Sequence, residues 1–157
     1  MSALRLPNIS FGAVSAIVTS VGLITGFQAA GISKSTILAG LLIVGIADNL
    51  TDSLSIHVYQ ESENLDGARA FRATLVNFAT RLLIALTFSL LVLTLSGTGA
   101  ILASIVWGAL LLSTVTWLVA RSRNVNTFYE ITKHIAVAGL VIVASRAIGE
   151  LVSMYIQ

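Results

Sequence analysis

Residues 99–120 read GAILASIVWGALLLSTVTWLVA, with no charged side chain from one end to the other. At about 1.5 Å of rise per residue, a helix of this length covers the ~30 Å apolar core of a bilayer. A surface helix of a soluble domain would carry a polar face, and this stretch has none. It is therefore read as a transmembrane helix. Four further stretches share its character, at about 8–30, 36–59, 74–96 and 135–156. The expected fold is an all-α membrane protein, a single transmembrane domain over 1–157 with five spanning helices. Turn signals separate the spans: Gly31-Ile-Ser-Lys34 after the first and Ser96-Gly-Thr-Gly99 after the third. Pro7, the only proline, suits a first helical position.

Composition agrees with this reading. Hydrophobic residues make up 56% of the 157 and charged residues 10%, against roughly a quarter charged in soluble domains. The net charge of +2 comes from Lys and Arg scattered at loop ends, so no basic patch for nucleic acid exists. With no cysteine, disulfides and thiolate chemistry are excluded. Neither Gly-x-Ser-x-Gly, His-Glu-x-x-His nor a P-loop is found, so an enzyme is not expected. Orientation follows from the cations. Arg5, Arg69, Arg72, Arg121, Arg123 and Lys133 fall on one side and only Lys34 on the other. The positive-inside rule puts the N-terminus in the cytoplasm and the C-terminus outside or in a lumen. The first apolar run is long for a cleaved signal and carries a patterned polar face, so it is read as a span. The plasma membrane of a prokaryote is the expected location.

Two spans carry candidate functional residues. In the first, Gly12, Ser15, Thr19, Gly22 and Gly26 recur every three or four residues and share one face. Small residues allow close backbone approach in lipid, so the stripe is either a packing face within one subunit or a homodimer seam. In the second, Gly45, Asp48, Asp52 and Ser55 share a face. Carboxylates at that depth are costly unless paired, hydrated or protonated. Oxygen donors at i and i+4 suit a divalent cation or a shared proton. The competing reading is structural: Arg81 lies at the depth of Asp52, and Arg146 at the depth of Asp48, giving two ion pairs. Arg146 and Glu150 also have the spacing to pair along the last helix. His57 and Glu61 form a second i, i+4 pair, followed by Glu63 and Asp66. They make an acidic mouth for cations or a solvated helix boundary. His134 and Lys133 read as interfacial anchors, and Trp107, Trp117, Tyr129 and Tyr155 as packing and interface residues.

In its first two spans the sequence resembles the vacuolar iron transporter family, which exchanges Fe²⁺ or Mn²⁺ for protons. The likeness rests on Val18-Thr-Ser-Val-Gly-Leu-Ile-Thr-Gly26, Leu38-Ala-Gly-Leu, Asp52-Ser-Leu-Ser-Ile and Glu61-Ser-Glu63. The number and order of spans match through the whole chain, and Ser145-Arg-Ala-Ile-Gly-Glu150 fits the last helix. The resemblance implies a homodimer with the first two helices around the path, and metal held by carboxylates and a methionine. Ser15 stands where the family has an aspartate, Ile56 where it has the methionine, and Tyr59 where it has a glycine. Residues 60–73 occupy the place of a glutamate-rich metal-binding domain present in many members.

The sequence thus points to a dimeric, proton-coupled exporter of Fe²⁺ or Mn²⁺, with metal sites at Asp48, Asp52, His57 and Glu61. Its partners would be the lipid bilayer, a second copy, the divalent cation and protons; no permanently bound cofactor is expected. The rival is a non-transporting scaffold or regulator whose acids are locked to Arg81 and Arg146.

Overall fold

The computed structural model of the chain describes residues 6–63 and 67–155. Five helices follow one another: α1 (Leu6–Ala29), α2 (Lys34–Ser62), α3 (Gly67–Thr94), α4 (Gly97–Ser122) and α5 (Thr127–Tyr155). All five are long and apolar enough to cross a membrane. They outrun the apolar stretches, most clearly at Ser62, Gly67 and Thr127, because hydropathy marks the lipid-compatible part of a helix and not its end. Backbone hydrogen bonding continues through polar flanks until a residue breaks it.

The connections are short and locally encoded. After α1, Gly31 takes φ of 71°, and the amides of Gly31 and Ile32 reach back to the carbonyls of Gln28 and Phe27. This is a Schellman stop, with glycine supplying the left-handed residue. Asn124 does the same after α4 at φ of 53°, with the amides of Asn124 and Val125 returning to Arg121 and Ala120. Ser33 caps α2 by accepting from the Thr36 amide, and Asn126 caps α5 by accepting from the Tyr129 amide. The α1–α2 and α3–α4 turns lie at one end of the bundle, where Lys34 Nζ donates to Ser96 Oγ at 3.2 Å.

α1 is the hub and contacts all four other helices, while α2 leans mainly on α3. Ala13, Ile17, Val21 and Ile24 of α1 meet Ile37 and Leu41 of α2, Phe88 and Val92 of α3 and Leu112 of α4 in one core. α4 turns inward a strip spaced by four: Ala100, Ser104, Gly108, Leu112, Thr116 and Ala120. Gly108 is needed there, since a Cβ would stand 2.7 Å from Val21 Cγ2. The outer faces are equally apolar: Leu83, Leu90, Leu102, Leu110, Leu140 and Val143 are all exposed. Apolar residues inside and out, with polar groups held between helices, suit a hydrocarbon surround.

The glycine stripe of α1 is filled by its own chain. Gly12 lies against Asn77 and Arg81 of α3, while Gly22 and Gly26 lie against Ser145 of α5. These glycines serve packing within one subunit, which leaves a homodimer seam without them. Among the described residues α5 is the least enclosed helix; only Gly149 is buried, pressed against the backbone of Gly26 and Ala30.

Candidate functional site

Arg81 is the centre of the site. It sits midway along α3 among apolar neighbours and is 3% exposed. A buried guanidinium demands acceptors for its donors, and three come from two helices. Nη2 donates to Asp48 Oδ2 at 2.6 Å, Nη1 donates to Asp52 Oδ2, and Nη1 also donates to Ser15 Oγ at 3.0 Å. The spacing of Asp48 and Asp52 explains why one side chain serves both. At i and i+4 the carboxylates stand one above the other on α2, and the guanidinium fork spans a turn.

One expectation fails here. Asp48 pairs with Arg81 and not with Arg146. Matching residues by depth leaves out the direction each faces around its helix. Arg146 points away from the bundle, and its Nε donates to Glu150 Oε1 at 2.9 Å, the intrahelical alternative. Asp52 with Arg81 agrees with the depth argument.

Two carboxylates on one guanidinium give the cluster a formal charge of one negative in excess. The carboxylates are also its open side: the Asp48 side chain is 45% exposed and that of Asp52 35%, with the arginine beneath them. An open pocket adjoins the cluster between α1, α2 and α3. Its polar lining is Thr19, Ser20, Asp48, Asn49 and Arg81, and its walls are Leu23, Leu41, Val44 and Ala85. Of the α1 stripe, Ser15 thus bonds the arginine of the cluster and Thr19 lines the pocket with Asp48, whereas Gly22 and Gly26 lie against Ser145.

A buried amide layer accompanies the cluster. Asn49 Nδ2 donates to the Phe78 carbonyl at 2.8 Å, and Asn77 Nδ2 reaches Ser53 Oγ at 3.4 Å. Both asparagines are 1% exposed, and neither Oδ1 has a hydrogen-bond partner within the protein. A buried carbonyl left so costs about 1–3 kcal/mol, so these oxygens are natural acceptors for water or a bound cation. Sequence reasoning missed both residues, although Asn77 is one helical turn before Arg81 and Asn49 follows Asp48.

His57 and Glu61 lie farther along α2, with His57 Nε2 3.3 Å from Glu61 Oε1. Glu63 is exposed at the helix end, and Asp66 lies outside the described residues, as does Arg5. The acids and His57 do not converge. Among the described residues no three of His, Asp and Glu are placed to hold one metal ion. Asp48 and Asp52 supply two carboxylates, and any further ligand for a divalent ion would come from hydroxyl, amide or water oxygen. At the same end of the bundle His134 Nδ1 shares a hydrogen bond with Thr116 Oγ1 at 2.9 Å, so it ties α5 to α4. Trp107 Nε1 donates to Thr87 Oγ1, and Trp117 stacks under Arg121. Compared with protein-family models, curated proteins and solved structures, the chain gives no match.

Proposed function

We propose that the chain is a membrane transporter that moves a divalent metal, Fe²⁺ or Mn²⁺, out of the cytoplasm in exchange for protons, with Asp48, Arg81 and Asp52 as its exchange site. The observation that carries this reading is the charge count: two carboxylates share one guanidinium, beside an open pocket in the middle of apolar helices. A balanced ion pair has no capacity for a further cation. A cluster short of one positive charge has that capacity, and in an apolar surround it draws a cation strongly. Arg81 acts as a resident cation that holds the acids in place between turnovers. An entering metal would compete with it for the two Oδ2 atoms; a proton taken up by one carboxylate as the metal leaves would carry the return, and its release on the other side would regenerate the anionic cluster. The positive-inside bias supports a cytoplasmic position for His57 and Glu61, where they would gather metal for export.

One observation favours a second reading, the non-transporting scaffold. Both acids already touch Arg81, and no third acidic or imidazole ligand joins them. Metal uptake into proteoliposomes separates the two. Transport predicts Mn²⁺ or Fe²⁺ uptake by the wild type and a loss of at least about 10–100-fold in Asp48→Asn and in Asp52→Asn, since removing a ligand costs no less than removing a group that supports one. Ser15→Asp, which introduces at this Arg81 neighbour the acid that the resembled family carries there, should tighten metal binding in the same preparation. Uptake that is equal in wild type, Asp48→Asn and Asp52→Asn removes the exchange site. No uptake of either metal by the wild type leaves the scaffold.

A further inference from the structure

The open pocket beside Asp48 and Arg81 holds oxygens that competition for the two Oδ2 atoms does not use. Thr19 and Ser20 of α1 line it together with Asp48 and Asn49 of α2 and Arg81 of α3. Asn49 is 1% exposed, and its Nδ2 donates to the Phe78 carbonyl. Only the amide nitrogen can donate to a carbonyl, so the orientation of this side chain is fixed and Oδ1 is the atom left without a partner. Ser20 is itself buried. Farther along α1 the Thr25 hydroxyl bonds the Val21 and Gly22 carbonyls, whereas among the described residues no hydrogen bond engages the hydroxyls of Thr19 and Ser20. Asp48 reaches Arg81 through Oδ2, which leaves its Oδ1.

Chemistry, size and charge narrow what such a pocket takes. Its acceptors are all hard oxygens: two hydroxyls, one amide carbonyl and one carboxylate. That set suits a hard cation and not a soft one. The free space is about 20 Å³, and one water needs about 10–15 Å³, so a single bare ion or one water fits and an organic cation does not. Charge then separates the remaining occupants. The cluster carries a formal charge of one negative in excess. A monovalent cation brings it to neutrality with Arg81 still in place. A divalent ion added beside Arg81 would leave one positive charge in an apolar surround, and a water would satisfy Asn49 and leave the negative charge standing. Three of the four donors are neutral, which is enough for a singly charged ion and poor for a doubly charged one.

We propose that this pocket binds one monovalent alkali cation, Na⁺, held by Thr19, Ser20, Asp48 and Asn49 beside an intact Arg81 bridge. Na⁺ occupies the pocket without displacing the arginine, whereas a divalent metal at the two Oδ2 atoms must displace it. Thr19, Ser20 and Asn49 give the neutral oxygens that replace the hydration shell of the ion, and Asp48 gives the charge. The inference rests on the geometry and formal charge of the cluster, which the transport reading shares, and not on transport itself.

Equilibrium binding of radioactive Na⁺ to the purified chain in detergent, with choline chloride holding ionic strength constant, tests this. The proposal predicts saturable binding by the wild type and an affinity lower by at least about 10-fold in Ser20→Ala and in Thr19→Val, the scale of losing a group at an ion site. Thr114→Val, on the exposed side of α4, should bind as the wild type does. A second readout needs no variant to fold. The midpoint of thermal unfolding of the wild type should rise with NaCl to a plateau and stay flat in choline chloride, because an ion that binds only the folded chain stabilises it. No saturable binding by the wild type, or equal midpoints in the two salts, overturns the proposal and is the result a water occupant gives. Unchanged affinity in both Ser20→Ala and Thr19→Val overturns it as well. Mn²⁺ and Fe²⁺ uptake into proteoliposomes separates the two readings. Uptake by a wild type that binds no Na⁺ overturns this site alone, whereas Na⁺ binding without uptake of either metal overturns transport and leaves the site.

Discussion

Arg81→Ala is expected to lower stability by about 3–5 kcal/mol, the cost of removing one partner from a buried ion pair, read as a large drop in the midpoint of thermal unfolding in detergent. The size follows from what is left behind. Arg81 is 3% exposed and satisfies Asp48, Asp52 and Ser15 together. Without it two carboxylates one helical turn apart face each other with no protein cation, and a cavity the size of a guanidinium opens between α1, α2 and α3. Repulsion is the larger part of that loss, so it is separable from the cavity. Adding Asp48→Asn and Asp52→Asn to Arg81→Ala should recover much of the lost midpoint. A midpoint for Arg81→Ala equal to that of the wild type would contradict the placement of Arg81 as the tie between three helices.

Gly149→Leu is expected to separate α1 from α5. A Cβ at Gly149 would overlap the Gly26 carbonyl and stand 3.0 Å from both Ala29 Cβ and the Ala30 amide nitrogen. Two of these three obstacles are backbone, so no side chain can swing aside and the helices must part. Overpacking of this kind costs about 1–3 kcal/mol for small additions, and leucine adds far more than a methyl group. The position matters because Gly22, Gly26 and Ser145 belong to the same interface, and the loop after α1 begins within it. Gly139→Ala is the matched control. Nothing stands within 4 Å of its Cβ, and alanine favours the helix by about 1 kcal/mol over glycine. Protease resistance of the purified chain should fall for Gly149→Leu and hold for Gly139→Ala; equal behaviour of the two would contradict the described α1–α5 contact.

The helices were legible because their signal is one-dimensional. Residues 99–120 contain no charge, and the turns at Gly31 and Ser96–Gly97 carry the residues that stop a helix. The acids of α2 were legible for the same reason, as i, i+4 spacing alone puts Asp48 and Asp52 on one face. What sequence could not give was azimuth between helices. Depth along the chain assigned Arg81 to Asp52 and Arg146 to Asp48, yet one arginine turns inward and the other outward. The role of Gly22 and Gly26 was open for a related reason: a small-residue face announces close packing and does not say whose backbone fills it. Asn49 and Asn77 went unread because single amides in apolar helices carry no spacing of their own. Only the fold shows that both are buried, Asn49 on the Phe78 carbonyl beside the pocket and Asn77 on Ser53.

The account's central claim is that the surplus negative charge of Asp48 and Asp52 over Arg81 is exchanged between metal and proton. Proton movement in proteoliposomes with a trapped pH dye, driven only by an imposed Mn²⁺ gradient, tests this most directly. The account predicts protons moving opposite to Mn²⁺ in the wild type, and both fluxes lowered together in Asp48→Asn and in Asp52→Asn. Mn²⁺ uptake without proton movement, or proton movement unchanged in both variants, would contradict it.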